Sequence, residues 1–288
     1  MKKPIFYGCG TAIATPFDDS LKINYSVLKK FLDFQIENKV DAIIVCGTTG
    51  ESATLSTEEK KELIKFTCDY VSKRVPVIAG TGSNNTLACI ELSKFAQSVG
   101  ADGLLIVTPY YNKTTQKGLI EHYSQIAQSV SIPIILYNVP SRTGLNIEPS
   151  TCLELSKIDN IVAIKEASGN LSQIAKISAL CKDSLYIYSG NDDQILPVLS
   201  VGGIGVISVL SNIKPLLVHN IVENYLAGNT ELAKSEFLNN LELANSLFCE
   251  VNPIPVKYAL SKIGFNFGKP RLPLIELLNK KLIDDFFK

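Results

Sequence analysis

The sequence predicts an α/β fold, a single (β/α)8 barrel with a helical C-terminal extension, and three observations carry that prediction. Eight short apolar runs rich in β-branched residues recur along the 288 residues, usually about 30 positions apart, the length of one strand-and-helix unit. The runs are continuous rather than alternating, as parallel strands covered on both faces require. Amphipathic segments separate them, and eight such units argue for closure into a barrel rather than an open sheet.

The first four runs are Gly10 to Pro16, Ala42 to Thr48, Pro76 to Thr81 and Gly103 to Pro109. The other four are Pro133 to Val139, Ile161 to Ala167, Leu185 to Gly190 and Gly203 to Val209. Helix signals fall between them. Ser56-Thr57-Glu58-Glu59 reads as a capping box, with Leu63, Phe66, Thr67, Tyr70 and Val71 on one face behind it. Thr86 opens a helix with Ala88, Leu92, Phe95, Ala96 and Val99 inward, stopped by Gly100. Leu119, Ile120, Tyr123, Ile126, Ala127 and Val130 form a further face of this kind. After Val209 no strand pattern remains. Lys214 to Phe248, Pro255 to Ile263 and the residues after Pro273 read as helical. Residues 1–223 are therefore expected to form the barrel and 224–288 an extension packed on it, as one folding unit.

Composition narrows the function. Lysine plus arginine equals aspartate plus glutamate at 28 each, which leaves no electrostatic footprint for nucleic acid or an anionic membrane. No apolar run approaches the ~20 residues that span a bilayer. Met1 to Gly10 carries two lysines without a following apolar stretch, so it is not read as a signal peptide. The seven cysteines are scattered with no C-x-x-C pair, the pattern of reduced thiols in a cytoplasmic protein. Two histidines, His122 and His219, both in helical patterns, argue against a histidine metal site or a Ser-His-Asp arrangement. The expected partner is a small molecule.

In a barrel of this kind, reactive groups collect at the C-terminal ends of the strands. Lys165 is the anomaly there, following Ile161-Val162-Ala163-Ile164 in a strand expected to be buried. Strand alternation sends Lys165 and Glu166 to opposite faces, so they cannot simply neutralise each other. One reading pairs the lysine with a carboxylate from another strand or lets it snorkel to the rim. The sharper reading is a desolvated, neutral amine, a nucleophile that attacks ketones to form an imine. Tyr137, one strand away at similar height, either fills the mouth as an aromatic or passes protons to the carbinolamine. Thr48-Thr49-Gly50 is a plain turn or a nest of N–H and hydroxyl groups suited to a carboxylate. Arg142 is a solvated loop cation or a bidentate carboxylate ligand. Gly202-Gly203-Ile204-Gly205 precedes its strand, the wrong end of the barrel for a phosphate site.

Four motifs, in this order and spacing, resemble the dihydrodipicolinate synthase (4-hydroxy-tetrahydrodipicolinate synthase) family. They are Gly-Thr-Thr-Gly-Glu from Gly47, Thr-Pro-Tyr-Tyr-Asn from Thr108, Tyr-Asn-Val-Pro-Ser-Arg-Thr-Gly from Tyr137 and Ile-Lys-Glu-Ala-Ser-Gly-Asn from Ile164. The resemblance runs from Thr11-Ala12-Ile13-Ala14-Thr15-Pro16-Phe17 to Asn252-Pro253-Ile254-Pro255-Val256-Lys257. It implies a condensation of pyruvate with L-aspartate 4-semialdehyde on the route to diaminopimelate and lysine, with no metal or organic cofactor. Lys165 would form the Schiff base, and Tyr137 would shuttle protons with the Thr48 hydroxyl and Tyr111. Thr49 would hold the pyruvate carboxylate, Gly190 and Ile207 would line the pocket through their backbones, and Arg142 would bind the aldehyde's carboxylate. Tyr111 would reach a neighbouring subunit's site, in at least a dimer and, by the family, a homotetramer built as a dimer of dimers. The imine nitrogen is itself the electron sink, so the chemistry asks for no cofactor.

One departure concerns regulation. Relatives inhibited by lysine use a cleft near Ser56 and Thr86, and Ser52, Ala53, Asn84 and Tyr110 match it. Lys60 stands where those relatives carry an imidazole and Ala88 where they carry a carboxylate, so a bound lysine would lose an anionic partner and meet a cation. Weak or absent feedback inhibition is expected. Among alternatives, N-acetylneuraminate lyases and sugar-acid aldolases keep the lysine and tyrosine. They usually read Gly-Ser-Thr-Gly-Glu in strand two and lack an arginine at the place of Arg142. A catalytically silent amino-acid sensor would lose Lys165, Tyr137 or Thr48, and all three are present.

Overall fold

The computed structural model describes residues 2–287. Strands β1 (Gly8–Ala12), β2 (Ala42–Val45), β3 (Val77–Gly80) and β4 (Gly103–Val107) form the first half of the sheet. The second half is β5 (Ile134–Asn138), β6 (Ile161–Glu166), β7 (Tyr186–Ser189) and β8 (Gly205–Ser208). All pair in parallel and in chain order, and β8 returns to β1, closing the predicted barrel. The strands are shorter than the apolar runs because the ends of the runs turn out of the ladder to build the mouth. In β2 the ladder stops at Val45, and Cys46 follows with φ +57°.

The helices of the first half are α1 (Tyr25–Glu37), α2 (Thr57–Val71), α3 (Thr86–Ser98) and α4 (Gln116–Ser129). Next come α5 (Pro140–Thr143), α6 (Pro149–Leu155), α7 (Leu171–Cys181) and α8 (Ile195–Ser200). The expected capping box of α2 is formed in both directions, Glu59 N–H to Ser56 Oγ and Ser56 N–H to Glu59 Oε2. Helix α3 opens at Thr86 as expected, behind an Asn85 cap whose amide oxygen accepts from the N–H groups of Leu87 and Ala88. The buried stripe of α3 is Cys89, Leu92, Ser93 and Ala96. Ala88, expected inward, faces out, and Ser93 replaces it because its hydroxyl bonds Thr81 at 2.8 Å.

Two apolar layers result. Ala12, Ile44, Ile78, Leu105, Ile135 and Ile207 pack inside the barrel. A larger layer lies between strands and helices, as expected for strands buried on both faces. Phe6 stacks on Tyr188 at 4.4 Å, filling the end opposite the mouth. Gly205, the first residue of β8, serves closure: a Cβ there would lie 2.3 Å from the Gly8 carbonyl. Gly203 packs against the Val198 carbonyl, 2.8 Å from where a Cβ would stand, and Gly202 turns at φ +99°.

The C-terminal third is helical through Lys262, as expected, but in short pieces. Lys214 to Phe248 divides into α9 (Pro215–Leu226), α10 (Thr230–Asn239) and α11 (Leu241–Ser246). Gly228 at φ +89° and Asn240 make the breaks. The expected boundary at residue 223 falls inside α9, the helix that follows β8, and the first interruption is the Gly228 turn. Helix α12 (Ile254–Lys262) matches expectation, but after Pro273 only α13 (Lys281–Asp284) is helical. Phe265 and Phe267 fasten the extension edge-on to Phe31 of α1, at 5.1 and 4.8 Å.

His219 on α9 ties that helix to the barrel. Its Nδ1 lies 2.8 Å from Asp41 Oδ2, which also accepts from Cys9 N–H, and its Nε2 lies 3.1 Å from Glu223. The Asp41 hydrogen bond, more than the opposing burial, holds the imidazole above its ordinary range. A raised folded-state pKa means that the pair stabilises fully below about pH 6.5, the unfolded value. The contribution is lost as pH rises through the folded value. The melting-temperature difference between wild type and His219→Gln is therefore expected to be larger at acidic than at alkaline pH; a pH-independent difference would exclude a charged pair.

Candidate active site

Lys165 points into the barrel from β6 and is 5% exposed. Its register partner on β5 is Tyr137, and its Nζ stands 4.4 Å from that ring's centroid. Alternation sends Glu166 the other way. There it accepts from Asn138 Nδ2, Ser168 N–H and Gln173 Nε2, all within 2.8–3.1 Å. Asn146 joins this cluster through Asn138 at 2.9 Å and Gln173 at 2.7 Å. Burial pushes the Glu166 carboxyl above the usual carboxylate range. The pairing of Lys165 with a strand carboxylate is thus not what this end of the barrel uses.

The amine opens on a cavity of ≈ 140 Å³ also lined by Thr48, Thr49, Tyr137, Arg142 and Gly190. Glycine is required at position 190, where a Cβ would stand 2.6 Å from Ala167 Cβ and 3.1 Å from Lys165 Cε. Arg142 lies in the short helix α5, exposed at the rim. Ile207 is fully buried in β8, one layer below, and Val209 supplies the cavity wall on that side. Tyr111 lies outside the cavity. It is 92% exposed, has φ +69°, and lines an adjoining cleft of ≈ 710 Å³ together with Thr48, Tyr137 and Arg142. Within one chain, then, the expected relay from Thr48 through Tyr137 is not completed by Tyr111.

His122 is remote from this chemistry: burial lowers its imidazole to about 4, and its Nδ1 meets Thr86 Oγ1. Among the described residues no three His, Cys, Asp or Glu side chains converge as a metal site. Among the described residues no helix is long and apolar enough to cross a membrane. All seven cysteines are free thiols.

Sequence reasoning assigned no role to the groups that hold the Thr48–Glu51 loop. Lys257 of α12 donates to Glu51 Oε1 at 2.7 Å, with side-chain exposures of 2% and 0%. Glu51 Oε2 accepts from Arg271 N–H, and Arg271 also clasps Glu59. Burial, more than Glu51, sets the Lys257 ammonium's range, lowering it. Asn252 donates to Thr49 Oγ1 at 3.0 Å. A lysine inside the apolar run Ile254 to Leu260 was the available signal for this lock. Asp192, in the loop after β7, is fully enclosed and accepts from Val209 and Leu210 N–H groups at 2.9 Å each. Burial raises its carboxyl, and hydrogen bonds from Ser208, Leu210 and Val209 oppose that.

A parallel eight-stranded barrel with a desolvated lysine beside a tyrosine at its mouth is the framework of an imine-forming lyase. A sequence model described as the dihydrodipicolinate synthetase family matches residues 5–284. The chain belongs to that family. A 4-hydroxy-tetrahydrodipicolinate synthase of Caldicellulosiruptor saccharolyticus is 60% identical over 288 residues, 98% of this chain and 97% of its own. The structure of dihydrodipicolinate synthase from Aquifex aeolicus superposes with TM-score 0.95 at 42% identity, covering 98% of this chain and 97% of that one. The chloride-inhibited enzyme of Acinetobacter baumannii, complexed with pyruvate, gives TM-score 0.94 at 40% identity over 97% and 96%.

Breaking the buried Lys257–Glu51 pair strands a charge without solvent. Lys257→Met is expected to lower unfolding stability by about 3–5 kcal/mol, read by denaturant titration, with Glu51→Gln added in the double variant recovering part of the loss. No recovery would mean that the two groups act independently.

Proposed function

We propose that the chain condenses pyruvate with L-aspartate 4-semialdehyde to 4-hydroxy-tetrahydrodipicolinate, the committed step toward diaminopimelate and lysine, without a metal or organic cofactor. The observation that carries this reading is the Lys165 amine, 5% exposed and 4.4 Å from the Tyr137 ring centroid, on a cavity sized for a three-carbon acid. The unprotonated amine attacks the ketone carbon of pyruvate, Tyr137 gives a proton to the carbinolamine oxygen, and that oxygen leaves as water to give the iminium. Thr49 holds the pyruvate carboxylate during this step. Loss of a methyl proton, relayed by Tyr137 and the Thr48 hydroxyl, gives the enamine. Its carbon bonds to the aldehyde carbon, whose oxygen takes up a proton. The amino group of the second substrate then attacks the imine carbon, closes the ring and releases Lys165. Every proton taken is returned, which suits a hydroxyl chain better than a single base. Arg142, at the rim, takes the carboxylate of the aldehyde substrate in its planar fork.

Exposure of Tyr111 at a positive φ supports a role completed by association. A second copy would receive this phenol next to its own Thr48 and Tyr137, and the assembly is a homotetramer of two such dimers. Lys60 lines the adjoining cleft with Ser52, Ala53 and Tyr110, whereas Ala88 faces out on α3. That cleft offers a cation where lysine would present its own, so feedback by lysine is weak.

Borohydride added with pyruvate is expected to trap the three-carbon adduct on Lys165, located by peptide mass analysis. Lys165→Ala is expected to lose on the order of 1,000-fold or more in kcat/KM. An adduct on another residue, or efficient cleavage of sialic acid or 2-keto-3-deoxygluconate without condensation activity, would overturn the assignment. Light scattering should find a tetramer, and a fully active monomer would remove the role given to Tyr111. Sub-millimolar lysine is expected to leave most of the activity; half-inhibition there would contradict the reading of Lys60.

A further inference from the structure

One polar wall of the Lys165 cavity takes no part in the chemistry above. Asn252, between α11 and α12, lines the cavity but is 5% exposed. Its Nδ2 donates to Thr49 Oγ1 at 3.0 Å, while its Oδ1 is buried with no hydrogen-bond partner among the described residues. Burying an acceptor without a partner costs free energy, so packing alone would favour an apolar side chain here. What the amide accomplishes is to occupy an acceptor site of the Thr49 hydroxyl. A threonine hydroxyl has one proton and two acceptor sites. With an N–H already directed at its oxygen, its proton is left to point elsewhere, and Thr49 borders the cavity.

We propose that Asn252 is a positioning residue that makes Thr49 a hydrogen-bond donor toward the carboxylate of the bound ketoacid. The proposal rests on Thr49 being the carboxylate-binding hydroxyl. It links the C-terminal extension to substrate affinity through one oriented proton. Asparagine suits this task because its N–H can only donate. Aspartate, nearly the same shape, is an acceptor when ionised and would draw the Thr49 proton to itself. Its charge would also repel the substrate carboxylate.

The test is steady-state kinetics of Asn252→Leu, Asn252→Asp, Thr49→Val and the Thr49→Val/Asn252→Leu double variant, with thermal unfolding in parallel. Asn252→Leu is expected to keep a melting temperature near wild type and to raise the pyruvate KM about tenfold, the worth of one oriented hydrogen bond. The larger part of the effect should fall on KM rather than kcat. Asn252→Asp should raise the pyruvate KM further. In the double variant the second substitution should add nothing to the effect of Thr49→Val, because both act through the same proton. A wild-type pyruvate KM in Asn252→Asp, or additive losses in the double variant, would overturn the proposal. An unchanged pyruvate KM in Thr49→Val would instead remove the Thr49 assignment on which it stands.

Discussion

The site depends on the pairing of β5 with β6. In that ladder Tyr137 is opposite Lys165 and Asn138 is opposite Glu166, so one face of the pair carries amine and phenol and the other carries amide and carboxylate. A slip of one residue would exchange the faces. The Glu166 cluster opposes that slip from behind, because Asn138, Ser168 N–H and Gln173 donate to its carboxylate in this register. A buried carboxylate without a cation is costly unless every acceptor is used. The chemical face of the barrel is thus held by polar bonds made on the face away from the cavity.

A second constraint comes from the far end of the chain. The loop after β2 leaves the ladder through Cys46 at φ +57° and Glu51 at φ +55°. Backbone in that region needs surroundings that hold it. Lys257 and Arg271 provide them at Glu51, more than two hundred residues downstream. The extension is therefore part of the site's construction, and the split into barrel and extension describes chain order more than mechanical independence. The lock is enclosed on both sides, where charge pairs are screened little by salt.

Local readings succeeded where the determining forces are local. The capping box at Ser56, the strand runs and the inward lysine follow from spacing, alternation and the cost of burying charge. They fell short where a partner distant in sequence decides. Ser93 displaced Ala88 on the inner face because Thr81 waits there for its hydroxyl. The tail after Pro273 is largely irregular because its contacts are made with other elements rather than along a helix. Tyr111 reads as a companion of Tyr137 in sequence, yet in one chain it faces solvent.

By itself the sequence determined the barrel, the order of its strands and most of the residues at its mouth, because continuous apolar runs bury in parallel ladders covered on both faces, eight strand–helix units close on themselves, and alternation assigns each side chain a face. Only the tertiary structure decided how those residues are held: Glu51 with Lys257, Thr49 with Asn252, and Gly190 against the stem of Lys165. Those contacts join segments that periodicity cannot relate, since it measures distance along the chain, while hydrogen bonds and close packing depend on distance across space.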